Sequence, residues 1–318
     1  MTTTTASTHE VPDWRTVLGE DEIRELQTMR DGRSYFSLAL NWGIIFSAFA
    51  LVALWTNPFS ILLAIFLIGG RQLGLAVFMH DAGHYAFFRD PKVNDFLGNW
   101  LAAYPIWGDL DPYRPYHLRH HAHTWTEKDP DRSLASPFPI ASSSLRRKIW
   151  RDLSGQTGWK RAIATWRRDL ERSQGRVRRT DGGGLRRLKG VAVTNAVLFG
   201  VLLAAGEPLL YLLWVVAWLT SYSLAMRIRA IAEHSMPTHL ESEFGNTRTT
   251  LASWWERIFI APNRVNFHLE HHLLMRVPHY NLPRMHALLR ERGALGDALI
   301  ARGYLSLLAQ AASRQAPA

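Results

Sequence analysis

At 318 residues the chain is 47% apolar, carries 13 Trp and has a formal charge of +10. It contains no cysteine, which excludes disulfides, thiolate-bound zinc, iron–sulfur clusters and a cysteine nucleophile. Any bound metal must therefore be held by histidine and carboxylate. Residues 1–35 open on a threonine run and lack the basic, apolar and small-residue portions of a signal peptide. They are expected to form a cytoplasmic N-terminal segment, leaving membrane insertion to internal sequence.

Residues 36–55 are apolar and free of charge, about the 20 residues that cross a hydrocarbon core. Thr56-Asn57-Pro58 breaks the run, and residues 59–79 form a second one, interrupted by Arg71 and Gln72. Arg71 would be costly facing lipid, so it is expected to snorkel or to pair inside the bundle. Residues 96–107 are apolar but too short to span, and are expected at the interface or re-entering the membrane. A third span is predicted at 188–205, a short break at Gly206-Glu207-Pro208, and a fourth span at 209–226. Charge-free runs of this length are rare in buried helices of soluble proteins.

Both turns are so short that the spans must pair as two antiparallel hairpins. Between them, residues 146–189 hold 15 Lys and Arg against 4 Asp and Glu, a net of +11, whereas neither turn carries Lys or Arg. The positive-inside rule then places both termini and the long connection in the cytoplasm. Trp150, Trp159 and Trp166 among the arginines fit an amphipathic segment on anionic headgroups. A solvated charged linker is the other reading. Nothing in the run matches a nucleic-acid motif, and no nucleic-acid partner is expected. The predicted class is an all-α integral membrane protein, with four spans, a cytoplasmic cap from 80–187 and 227–290, and a C-terminal tail at 291–318.

Nine of the 14 histidines fall in a pattern. His80 and His84 form H-D-A-G-H; His117, His120 and His121 form H-L-R-H-H; His268, His271 and His272 form H-L-E-H-H; His234 stands in A-E-H-S-M-P. Spacings of three and four put these rings on one helix face, where a lone histidine would more often be structural. His80 lies 22 residues after Pro58 and His234 lies 26 after Pro208. Helices from those turns would run roughly 33–39 Å, just past a hydrocarbon core of about 30 Å. Every cluster therefore converges on one side of the membrane. A metal transporter would place such ligands near the midplane instead. Nine imidazoles exceed what one metal needs, no H-E-x-x-H zinc motif occurs, and an all-nitrogen donor set favours iron over magnesium or calcium.

These boxes resemble the membrane fatty acid desaturase superfamily, with its H-x3-4-H, H-x2-3-H-H and [HQ]-x2-3-H-H signature, over residues 36–290. The resemblance implies a cytosolic cap holding two irons above four spans. It implies His80, His84, His117, His120, His121, His268, His271 and His272 as ligands, with His234 similar in placement to the additional ligand after the fourth span. Asp81, Glu233 and Glu270 adjoin ligands and are candidates to orient their rings, as is His123. His279 and His286 lie beyond the last box, so their loss is expected to be far milder.

The stretch from Glu127 to Asp131 and the segment N-F-H-L-E-H-H-L-L-M-R-V-P resemble bacterial members, including carotenoid ketolases and hydroxylases as well as lipid desaturases. The implied activity is O2-dependent attack on an unactivated C–H bond of a lipid-like substrate. Desaturation is expected first, with hydroxylation or ketolation as the alternative and no catalytic residue beyond the di-iron centre. No H-P-G-G haem motif occurs, and neither haem nor flavin is expected. Electrons would then come from a separate ferredoxin, rubredoxin or cytochrome b5 type donor with its reductase. The expected location is the bacterial inner membrane.

Overall fold

A computed structural model describes residues 13–173 and 184–314, and the chain there is mostly helical. Four helices are long and apolar enough to cross a membrane. The first, α1 (Asp31–Leu54), stops at Trp55, and Asn57 starts α2 (Pro58–Gly83). The Asn57 side chain accepts from the N–H groups of Phe59 at 3.0 Å and Ser60 at 3.1 Å. Pro58 fills the first helical position, where its missing N–H leaves no bond unmade. The helix does not end at residue 79. It continues to Gly83 with His84 as its cap, so the first histidine box rides on its last turn.

Helix α2 is the axis of the bundle, packed by most of the other long helices. Residues 96–107 become a π-helical turn (Gly98–Ala103) and a 3-10 turn (Tyr104–Ile106), whose Ala102, Ala103 and Ile106 are buried in the core. Helix α3 (Leu110–His123) carries the second box and is capped by Asp109, which accepts from the Asp111 N–H at 3.1 Å.

The basic connection folds into two amphipathic helices, α4 (Ser142–Leu153) and α5 (Gln156–Ser173). Gly155 joins them at φ 77°, a left-handed value that a side chain would strain. Trp150, Trp159 and Trp166 are exposed, as the amphipathic reading requires. The solvated-linker reading does not hold for the described part. Arg161 turns inward over the rings of Trp218 and Tyr222 at 4.5 and 4.9 Å, and buried Asp152 and Asp169 pair with Arg227 and Arg187. The connection's residues 174–183 lie outside the described residues.

The third apolar helix is α6 (Leu185–Ala204). The fourth opens with a 3-10 turn at Pro208–Leu210 and divides into α7 (Tyr211–Leu219) and α8 (Ser221–His234). The division falls at Thr220, with φ −111° and ψ −87°. It therefore extends past the expected end at 226 and delivers His234. Side chains such as Leu54, Phe59, Val197 and Leu209 stand exposed on the outside of these helices, while Ile45, Ile68 and Phe78 are sealed inside. Helices apolar on both faces are what a lipid surround selects.

The remaining elements qualify the all-α expectation. Helix α9 (Trp254–Phe259) lies against α2, and α10 (His268–Leu273) carries the third box. Beyond it come α11 (Leu282–Glu291) and α12 (Tyr304–Ala311). Strands β1 (Arg248–Thr250) and β2 (Leu299–Ala301) form a parallel pair with Thr249 opposite Ile300. Of the expected C-terminal tail at 291–318, the described part through residue 314 packs onto the rest, since Tyr304, Leu307 and Ala311 join a core with Ile231 and Val265. At the other terminus Trp14, Leu18 and Leu26 pack on Leu269 and Met285, bracing the third box.

Candidate metal centre

Each three-histidine box sits on one short helix, and the residue spacing decides where each ring goes. Rings four positions apart are offset by only about 40°, whereas rings three apart are offset by about 60° in the opposite sense and adjacent rings by about 100°. His117 and His121 therefore turn one way and His120 the other; His268 and His272 turn one way and His271 the other. The result is two groups. Ring nitrogens of His80, His84, His117, His121 and His271 lie within 4.8 Å of one another, and those of His120, His234, His268 and His272 do likewise. Every histidine singled out in the sequence pattern falls in one of the two.

Within the groups Nε2 atoms face one another. His117 and His121 stand 3.1 Å apart, His121 and His271 3.0 Å, His120 and His234 3.1 Å, and His234 and His268 2.9 Å. Burial, and then the neighbouring imidazoles, push His84 down to about 3 and hold His117, His121, His268, His271 and His272 far below the usual imidazole range. These rings are neutral at pH 7, so each presents a lone pair. The Nε2 atoms of His80, His84 and His272 are buried with no partner among the described residues. Convergent, buried, unprotonated nitrogens repel one another unless a cation lies between them, and the donor set fits transition metals.

Four of the Nδ1 atoms have partners, while His121 Nδ1 is buried without one among the described residues. His80 Nδ1 lies 3.1 Å from Asp81, and His234 Nδ1 lies 3.1 Å from the carbonyl of Asn246. His268 Nδ1 lies 3.5 Å from Glu233, which also pairs with Arg229. His120 Nδ1 lies 2.8 Å from Asp129, a residue the sequence reading did not single out as a partner. Asp129 also accepts from the N–H groups of Trp125 and Asp131, both at 2.9 Å. Burial alone would raise its pKa, but these bonds hold it below the usual carboxylate value. Such partners fix the tautomer that leaves Nε2 free to ligate.

Other candidates land elsewhere. Glu270 reaches His286 at 2.6 Å and Thr249, so it holds a residue outside the nine and not a box ring. His123 belongs to neither group; the hydrogen bonds found there use its backbone carbonyl. His279, expected to be milder to lose because it lies beyond the last box, contacts the first one. Its Nδ1 lies 2.8 Å from Asp81, so it braces the carboxylate that holds His80. Sequence offered one signal for it, its position seven residues after the last box histidine.

A cavity of about 270 Å³ opens on His117, His120, His234 and His268, walled by Tyr113, Tyr116 and Met226. A second, of about 680 Å³, shares Tyr113 and Tyr116 with it and leads toward Met79 and Arg187. Tyr113 stacks on His117 with ring centroids 5.1 Å apart. Burial holds both phenols well above their usual pKa, so they stay protonated.

The sequence profile of the fatty acid desaturase family matches residues 54–303, which takes in all nine histidines. The chain belongs to the fatty acid desaturase family. Among similar proteins, the dihydrorhizobitoxine desaturase of Bradyrhizobium elkanii is 29% identical over 252 residues, covering 73% of this desaturase-family chain and 67% of its own. The sn-1 oleoyl-lipid 12-desaturase of Synechocystis sp. is 25% identical over 70% of this chain and 66% of its own. The chloroplastic omega-6 fatty acid desaturase of Brassica napus is 27% identical over 70% of this chain. The match spans only 52% of that plant protein and just under two thirds of the Synechocystis one. Members of this family are oxidoreductases, and the helices and histidine clusters of this member fit a metal-binding membrane protein.

Proposed function

We propose that the protein is an O2-dependent di-iron lipid desaturase that introduces a C=C bond into a fatty acyl or related chain, using electrons from a separate donor. The observation that carries this reading is the division of nine imidazoles into a group of five and a group of four. In it, His80, His84, His117, His121 and His271 hold one iron, and His120, His234, His268 and His272 hold the other. Iron bound there supplies the oxidising power, drawn from O2, that an unactivated methylene requires and no side chain has.

The protein's own task is placement. A lipid chain entering the cavity beside Tyr113 and Tyr116 would bring one methylene next to the four-histidine group, and the charged lining of the neighbouring cavity, with Asp109, Arg119 and Arg187, suits its polar end. Protonated phenols and Met226 exclude water from that chain, and no wall residue is needed as a base. The names of the relatives support a lipid substrate, and the four apolar helices support a membrane setting. The clusters, the cap and both termini then face the cytoplasm of a bacterial inner membrane.

Expression with adequate iron, followed by mass spectrometry of extracted lipids, tests this. A lipid that has lost two hydrogens is expected, and its disappearance with His271→Ala while the protein stays in the membrane. Products that gain oxygen would move the assignment to a hydroxylase or ketolase. Unchanged lipids from iron-loaded protein supplied with a reductant would defeat both.

A further inference from the structure

Away from the metal centre, a cavity of about 730 Å³ lies where the first turns of α1 meet α2, α9 and the segment after the third box. Five arginines line it: Arg33, Arg71, Arg257, Arg264 and Arg284. Among the described residues only one of these guanidiniums meets a carboxylate, Arg284 with Glu25 at 2.6 Å. Arg33 lies over the Tyr280 ring at 5.5 Å. Arg264 sits on a left-handed backbone, and burial and then the Arg257 charge hold its pKa below the ordinary value.

Arg71 forms the buried floor. Its Nη2 donates to the carbonyls of Arg257, at 3.1 Å, and Ile258, but its Nε has no partner. It thus does not snorkel but pairs inside the bundle with backbone carbonyls, and no acid meets it among the described residues. Like charges gathered in one partly desolvated concavity repel, and an unsatisfied buried donor adds to that cost. An anion inside the cavity offsets the repulsion among these charges.

We infer that this arginine-lined cavity is a binding site for the phosphate headgroup of an anionic membrane lipid, separate from the metal centre. A phosphate offers several acceptor oxygens to guanidinium forks, where one carboxylate would leave most of these charges unmet. The rim identifies the rest of the molecule. Phe36, Leu40 and Trp254 line the same cavity and are exposed by half or more. They offer acyl chains an apolar wall at the depth where α1 enters the membrane. A free anion would make no use of that wall, and a flat protein face would not reach Arg71.

The cavity touches the metal centre through one residue. His279 lines it, contacts Ser37 there at 3.0 Å, and contacts Asp81 beside His80 on its other nitrogen. A bound headgroup would therefore steady the ring that braces the five-histidine group.

Native mass spectrometry of the detergent-purified protein tests the site with dioctanoyl phosphatidate, dioctanoyl phosphatidylcholine and inorganic phosphate as probes. Saturable retention of one phosphatidate is expected, with much weaker retention of phosphatidylcholine. The pair Arg257→Gln and Arg264→Gln removes two guanidiniums and should weaken phosphatidate about tenfold or more, since even one charge-assisted bond is worth that much, while Lys at both positions restores part of it. Should the double variant fail to fold, Arg33→Gln at the exposed rim should still weaken binding severalfold. Equal binding of both lipids, or unchanged affinity in these variants, overturns the proposal. Inorganic phosphate binding as tightly as phosphatidate overturns the lipid assignment. So do variants that keep phosphatidate but lose affinity for an acidic electron-carrier protein.

Discussion

Asp129 illustrates how a residue outside the histidine pattern can govern it. Its carboxylate holds His120 Nδ1 at 2.8 Å while two backbone N–H groups fix the carboxylate itself. Asp129→Ala should leave the five-histidine group intact and weaken metal at the four-histidine group by about 10–100-fold. Under limiting iron the variant should retain roughly one metal where the parent holds two, with Asp129→Glu intermediate. Equal metal content in Asp129→Ala and the parent would show that His120 needs no such brace. His279→Gln should act on the other group, because its contact runs through Asp81 to His80. Which metal is lost, read by Mössbauer spectroscopy, should differ between the two variants. The nine rings were legible in sequence because three- and four-residue spacing carries directional information. The direction of a carboxylate such as Glu270 was not, because a neighbour in sequence can point to either side of its helix.

Elements were legible where apolarity alone decides them. The four long helices stand near their predicted positions, since uninterrupted apolar runs have few alternatives in lipid. The ends at residues 79 and 226 were missed because polar, histidine-bearing turns continue the helices beyond the apolar stretch. Helix–helix contact was not legible, although two glycines mark it. A Cβ at Gly69 would strike Ser221, and one at Gly70 would meet the carbonyls of Ile258 and Phe259 at 2.8 and 2.9 Å. Backbone carbonyls cannot rotate away, so Gly70→Val must push α9 off α2. A loss of about 1–3 kcal/mol is expected. It should appear as a lower melting temperature in detergent, whereas the same change at Gly43, with nothing within 4 Å, should be far milder. Equal melting of the two variants would mean that α9 does not pack as described.

At the scale of the molecule, the short turns and the clusters lie at opposite ends of the helices that carry His80 and His234. Helix α2 alone, at 26 residues, is about 39 Å long. The side of the membrane that receives the clusters is a question of charge. The described part of the connection keeps Arg and Lys on α4 and α5, while the turns at Asn57 and Glu207 have none to hold them inside. The chain has no cysteine, so a single introduced one reports its own position without background. Gly155, exposed His123 neighbours such as Thr126, and residues near both termini should label only after the inner face is opened. Asn57 and Glu207 should label from outside in intact cells. Substitution at Gly155 strains a left-handed backbone, so Ser154 is the better reporter for that joint. The proposed reaction would draw its electrons from a cytoplasmic donor, and basic helices favour anionic inner-leaflet headgroups, so both arguments point the same way. Labelling of Ser154 from outside would place the clusters away from any cytoplasmic electron donor. The orientation and the electron supply would then fail together, while the two-group geometry of the histidines would stand.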